Sequence, residues 1–337
     1  MLDKKITIDD VAAAAGVSRQ TVSRAINDLD GISGATRQRI LTIAAELGYQ
    51  PSRLARGLAS ASQQTRTLGV VLPSVDNEFY ATVLRGIETK ASQYGYQLLL
   101  CSTDEDPETE YAKIQSLFSA WIDGLILLSS RMTDEQLTDI CQRTRPVVLI
   151  NRLFPHPNAG NVVIDDFNGT YTATMHLINQ GGHKDIAFLL GLPYARSSQL
   201  RQRGYQSALH DSDIPLIPAY QQHTDAHIES GYHAARRLLC DHPEITALLV
   251  YNDVRTAGVL RACKELGISI PDQLSIISHD NISLSSLLIP SLTTVDIPKQ
   301  SLGEAAIDMM LSMMEEPSMT PETRTFTPKL IIRESCP

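Results

Sequence analysis

The chain has 337 residues, 43% hydrophobic and 20% charged, enough for a globular protein of two or three domains with a substantial core. No apolar run approaches the roughly 20 residues that a membrane span needs. The polar start Met1-Leu2-Asp3-Lys4-Lys5 argues against a secretory signal, and five scattered cysteines without a CxxC pair argue against a disulfide framework or a thiolate zinc site, so reduced thiols in the cytoplasm are expected.

The net charge of −9 conceals an asymmetry. Residues 1–60 carry eight Lys/Arg against six Asp/Glu, a surplus of +2, and the remainder carries −11. A small basic head on an acidic body keeps the body off nucleic-acid phosphates and directs the head toward them.

In chain order, Thr7 is placed to cap a helix whose third residue is Asp10, a capping-box spacing. That helix runs through Val11–Ala15 and ends at Gly16, where the turn requires backbone angles glycine adopts freely. Ser18 caps a second helix, Arg19 to about Asn27. Its Val22 and Ile26 share one face, while Arg19, Gln20, Ser23, Arg24 and Asn27 share the other. A third helix is expected from about Thr36 to Leu47, burying Ile40 and Leu47. Helix, glycine turn and a helix with a polar outer face is the helix-turn-helix layout, whose second helix enters the major groove. A small three-helix bundle with a solvated face has the same pattern. After Pro51 comes a short segment capped by Ser52, about two turns long and interrupted by Gly57.

Here the sequence becomes specific. The runs TIDDVAAAAGVSRQTVSRAIND, ISGATRQRI and LGYQPSRLARGLAS resemble the DNA-binding head and hinge of the LacI/GalR family of bacterial regulators. The resemblance implies a helix-turn-helix domain over 1–50 and a hinge helix with linker over 51–62. It implies that Arg19 and Gln20 read base edges, that Arg24 meets bases or phosphate, and that Asn27 meets the backbone. Thr7, Ser18, Ser23, Ser33, Arg53 and Ala55 complete the DNA-facing set, and Leu58 wedges into the minor groove. The chemistry suits those roles: Arg matches the O6/N7 acceptors of guanine, Gln matches adenine, and apolar wedges unstack a base step.

From Leu68 onward, short apolar runs (Leu68–Leu72, Gln97–Cys101, Gly124–Leu128, Val147–Ile150, Val162–Ile164, Ile186–Leu190, Ala247–Val250, Leu274–Ile277) alternate with helical stretches such as Phe79–Tyr94, Asn168–Gln180 and Thr256–Leu266. Continuous rather than alternating apolar strands predict parallel sheets covered on both faces. The pattern restarts near Asp165, so two α/β subdomains are expected within 66–337: one over about 66–164 and 295–332, the other over about 165–294. Pro290–Pro298 is expected to cross back, so that the helix Leu302–Met314 and a strand Phe326–Ile332 complete the first subdomain. Trp121, in Leu117–Ile122, is expected in the core.

No GxGxxG after a strand, GxxxxGK[ST], HExxH or GxSxG occurs, so no enzyme, cofactor or metal site is expected. His223 and His227 lie four apart but lack a third ligand. In open α/β sheets, ligands bind beyond the carboxyl ends of the strands. The candidates there are Phe79, Asn151, Asp165, Asn252, Asp253 and Asp280, with Arg201 on a following helix. Each has a plain alternative: Asn252 and Asp253 as helix caps, Arg201 as a surface ion pair, Phe79 as core. The body resembles the periplasmic-binding-protein type I module of the same regulators. That resemblance supports Asn151, Arg201, Asn252, Asp253 and Asp280 as effector contacts, with Arg201 and Asp280 expected across the cleft from each other. Two positions depart from the pattern: Ala226 replaces a frequent aromatic, and Asp296-Ile297 replaces a polar residue and Gln.

The expected protein is therefore a homodimeric repressor on a palindromic operator, controlled by a sugar or sugar derivative. A nucleobase is the alternative ligand, and a solute-binding protein the alternative class. No leucine-heptad tail follows Glu334, so tetramers built on such a coil are not expected.

Overall fold

The computed structural model describes residues 6–49, 65–143 and 146–337. The chain divides into two units, 1–67 with 119–123 and 68–118 with 124–337. The expected hinge helix, with Arg53, Ala55 and Leu58, lies outside the described residues.

In the first unit, α1 (Ile8–Ala15), α2 (Arg19–Ile26) and α3 (Gly34–Glu46) surround Val11, Val22, Ala25, Ile40 and Ala44. The capping box forms: Thr7 accepts from the Asp10 amide, and the Asp10 carboxylate accepts from the Thr7 amide at 2.8 Å. Gly16 closes α1 in the left-handed conformation, φ 62°, and Ser18 caps α2. The third helix starts two residues earlier than expected because Ser33 caps it. Leu47, expected in the core, is 37% exposed, since α3 has already ended at Glu46.

The second unit holds two sheets. The first takes β1 (Thr67–Leu72), β2 (Gln97–Ser102), β3 (Gly124–Leu128), β4 (Val147–Ile150), β5 (Ala159–Ile164) and β11 (Thr323–Phe326), in the order β2-β1-β3-β4-β5-β11. The second takes β6 (Ile186–Leu190), β7 (Gln221–His223), β8 (Ala247–Val250), β9 (Ser275–Asp280), β10 (Thr293–Asp296) and β12 (Lys329–Ile331), in the order β7-β6-β8-β9-β10-β12. The helices are α4 (Glu78–Gln93), α5 (Pro107–Ser119), α6 (Asp134–Arg143), α7 (Asp166–Asn179), α8 (Arg196–Asp211), α9 (Ile228–Asp241), α10 (Asp253–Leu266) and α11 (Lys299–Glu315). Central strands such as β3, β4, β6 and β8 are buried at every residue, which is why they read as unbroken apolar runs.

Two expectations are corrected. The return crossing begins after β10, which pairs in parallel with β9 in the second sheet, and α11 then packs on α4, β4 and β5. The single strand expected over Phe326–Ile332 is two. Thr323–Phe326 pairs with Asn161–Ile164 in the first sheet; Lys329–Ile331 runs antiparallel to Thr294–Asp296 in the second. Pro328 separates them, because its missing N–H breaks a ladder. The chain thus passes between the sheets three times, after Ile164, Asp296 and Phe326.

Candidate functional site

Each sheet reverses its strand order once, between β1 and β3 and between β6 and β8, and these switch points are where open α/β sheets bind ligands. A cleft of about 970 Å³ opens there. Its walls follow the carboxyl ends of β1 (Ser74, Asp76, Asn77), β2 (Asp104, Glu105, Asp106), β6 (Leu192, Tyr194) and β7 (Asp225–Glu229), with Tyr80 and Val254 from α4 and α10. Six of these lining residues are acidic and none is Lys or Arg.

Beneath the second wall lies a buried polar cluster. Arg201, on α8, donates from Nε to Asp166 Oδ1 at 2.7 Å and from Nη1 to the Tyr251 carbonyl. Its Nη2 stands 3.6 Å from Asp280 Oδ1. Burial pushes the carboxyl groups of Asp166 and Asp280 up, opposed by the Arg201 charge. Asp166 Oδ2 is buried with no hydrogen-bond partner among the described residues. His279, bonded to Thr170 Oγ1 at 2.9 Å, is held neutral by burial and by Arg201.

Tyr251 connects this cluster to the cleft wall. The guanidinium carbons of Arg201 and Arg255 lie 4.7 and 4.6 Å from its ring centroid, and its hydroxyl meets Ser197 Oγ at 2.6 Å. Arg255 donates to the carbonyls of Asp225 and Thr224, so it ties the loop that enters α9 to the start of α10. On the opposite wall, Glu105 accepts from Arg131 Nε at 2.6 Å, and Glu110 accepts from the Arg131 amide at 2.8 Å.

Of the seven expected effector positions, Arg201 and Asp280 are brought together. They do not face each other across the cleft: both belong to the second sheet's layer, because β9 ends beside α8. Phe79 is buried edge-to-face on Tyr80, and it is Tyr80 that reaches the cleft. Asn151 approaches Ser129 Oγ at 3.5 Å. Asp165 caps α7 and Asn252 caps α10. Asp253 accepts from the Ile282 amide and Thr294 Oγ1, both at 2.9 Å. Tyr251, Asp166 and Arg255 were missed; each directly neighbours an expected residue or sits two further on, and only the fold shows which way such neighbours face. Among the described residues, no group of three or more His, Cys, Asp and Glu could hold a metal ion.

On the head, Arg19, Gln20 and Arg24 are exposed along α2, whereas Val22 and Ala25 are buried. Ser23 and Asn27 lie half-buried between, joined at 3.3 Å. Thr7, Ser18 and Ser33 act as helix caps.

A helix-turn-helix in one chain with a two-sheet core, its polar cleft at paired switch points, defines a ligand-responsive DNA-binding regulator as a class. Residues 7–52 match the bacterial regulatory proteins of the lacI family, and residues 174–336 match the periplasmic binding protein-like domain. The chain is 34% identical to catabolite control protein A of Priestia megaterium, covering 92% of this chain and 93% of that one. It is 32% identical to the ribose operon repressor of Escherichia coli (strain K12), covering 98% and 99%. The structure of the lac repressor dimer bound to operator and the anti-inducer ONPF matches with a TM-score of 0.84 at 27% identity over 99% of each chain. The chain belongs to the lacI family of bacterial regulatory proteins.

Proposed function

We propose that this regulator is a homodimeric repressor that binds a palindromic operator through α2 and takes a neutral sugar or sugar derivative in the cleft. The carrying observation is the Arg201–Asp166–Asp280 cluster at the second sheet's carboxyl edge. A ring of hydroxyls can donate to carboxylates and accept from a guanidinium at once, and Asp166 Oδ2 is an acceptor with no partner among the described residues. The acidic rim repels anions, which favours an uncharged sugar over a phosphorylated one. Relatives named for ribose control and catabolite control support the same reading.

A thermal-shift screen against pentoses, hexoses and disaccharides tests it, since a ligand that binds only the native state raises the melting temperature. On the sugar so found, Arg201→Lys keeps the charge but loses the planar fork. Its affinity is expected to fall by more than about tenfold, because a buried partner is left unpaired. Operator binding without sugar should persist. Wild-type sugar affinity in both Arg201→Lys and Asp280→Asn would remove these residues from the site.

A further inference from the structure

The segment 65–67 is fastened to the turn 119–123 by one carboxylate. Asp123 Oδ1 accepts from the Thr65 amide at 2.9 Å, and Oδ2 accepts from the Arg66 amide at 2.7 Å. The Thr65 hydroxyl donates to the Trp121 carbonyl at 2.7 Å and stands 3.0 Å from Asp123 Oδ1. The Asp123 amide in turn donates to the Thr67 carbonyl at 2.8 Å. Both carboxylate oxygens are therefore engaged with backbone N–H groups, the arrangement in which a charged acceptor is strongest. Arg66 and Trp121 both hold left-handed backbone angles, φ 55° and 56°. Bulky residues keep such angles only where their surroundings fix them, so the turn and the segment define each other.

The position of this fastening gives it a use. Thr67 begins β1 and Asp123 immediately precedes β3, two adjacent parallel strands of the first sheet that flank its switch point. Past its carboxyl end, β1 leads to the cleft residue Ser74. In the other direction, the chain from Thr65 leads back toward the DNA-binding head.

We propose that Asp123 is a positioning residue for operator binding: by holding the Thr65 and Arg66 amides it fixes the direction in which the chain leaves toward the head. A fixed departure restricts the conformations that two heads must give up when they engage one operator, and ordering lost in advance favours specific binding. Random DNA, which accepts many head arrangements, gains little from it.

The full-length protein would first select a duplex from a random pool, and this duplex and a scrambled one would be the probes. Affinities of wild type, Asp123→Ala and Asp123→Asn would be followed by anisotropy of the labelled duplexes. The emission of Trp121, the only tryptophan, would report on the fastening. Asp123→Ala should weaken binding to the selected duplex by about tenfold or more, leave the scrambled duplex unchanged, and shift the Trp121 emission. Asp123→Asn, which keeps one acceptor oxygen, should fall between. Removing a carboxylate would by charge alone tighten binding to both duplexes, so a selective loss reports geometry. Wild-type affinity for the selected duplex in both variants, or equal losses on both duplexes, would overturn the proposal, as would an unchanged Trp121 emission in Asp123→Ala. If Asp123→Ala fails to fold, Asp123→Asn decides by the same criteria.

Discussion

Asp166, Asp253 and Asp280 are three carboxyl groups buried within one layer, with Arg201 paired to Asp166 and Asp280 and Lys299 donating to the Asp280 carbonyl. Burial, and then the neighbouring Asp280 charge, push the Asp253 carboxyl up to about 7. An unfolded Asp titrates near 4, so between about pH 4 and 7 the folded protein holds a proton that the unfolded chain has released. The stabilisation from this group is complete below the unfolded value and is lost as pH rises through about 7. Melting temperature should therefore decline from pH 5 to pH 8 more steeply in wild type than in Asp253→Asn, whose amide can accept from Ile282 and donate to the Thr294 hydroxyl. Parallel profiles would show that Asp253 is ionised throughout. The residue also marks where sequence reasoning ends. A polar side chain directly after a strand serves equally as a helix cap or a ligand contact. Asp165 and Asn252 cap, Asp253 ties the start of α10 to β10 and to the Ile282 amide beyond β9, and Arg201 with Asp280 forms the cluster; nothing in their spacing separates these outcomes.

The elements that carry the cleft are held by backbones in direct contact. A Cβ on Gly258 of α10 would lie 2.0 Å from the Ile228 carbonyl, and one on Gly231 of α9 would lie 2.3 Å from the Arg255 carbonyl. The same device joins α4 to α11, where a Cβ on Gly303 would meet the Val83 carbonyl at 2.2 Å. Backbone atoms cannot rotate aside as side chains do. Gly258→Ala should thus lower the free energy of unfolding by about 1–3 kcal/mol, as overpacking typically does, visible as a lower urea midpoint with an unchanged slope. Because Ile228 opens the helix whose first turn lines the cleft, the same variant should weaken sugar binding. A midpoint equal to wild type would mean that α9 and α10 separate without cost. These elements were largely legible, since fully buried strands read as apolar runs and the helices between them keep a helical period. What stayed hidden was short or marginal: β7 spans three residues with no apolar run, and the break at Pro328 moves three residues into the other sheet. Trp121 inverted its expected role, being 55% exposed in the turn that receives Thr65, because a turn residue with a left-handed backbone does not follow the period of the preceding helix.

At the scale of the molecule, the charge asymmetry and the division into two units lead to one division of labour. The core from Leu68 onward has its own apolar clusters beneath both sheets, so a fragment beginning at Thr65, which retains the Asp123 fastening, should fold and bind sugar. Its acidic surplus gives it no attraction for DNA, and it should not shift the selected duplex on a gel at any salt concentration. The Arg19 side chain is 71% exposed, and among the described residues the carboxylate paired with it, Asp9, stands at 4.0 Å. A pair so exposed contributes little and leaves the guanidinium available to a guanine edge. Arg19→Ala should cost about 1–3 kcal/mol on the selected duplex and relax the preference at one base position in each half-site. Binding to the scrambled duplex should change by no more than one phosphate contact's salt dependence. If the fragment shifts the duplex, or if Arg19→Ala loses equally on selected and scrambled DNA, then α2 does not read the sequence and the specificity must be sought elsewhere in the chain.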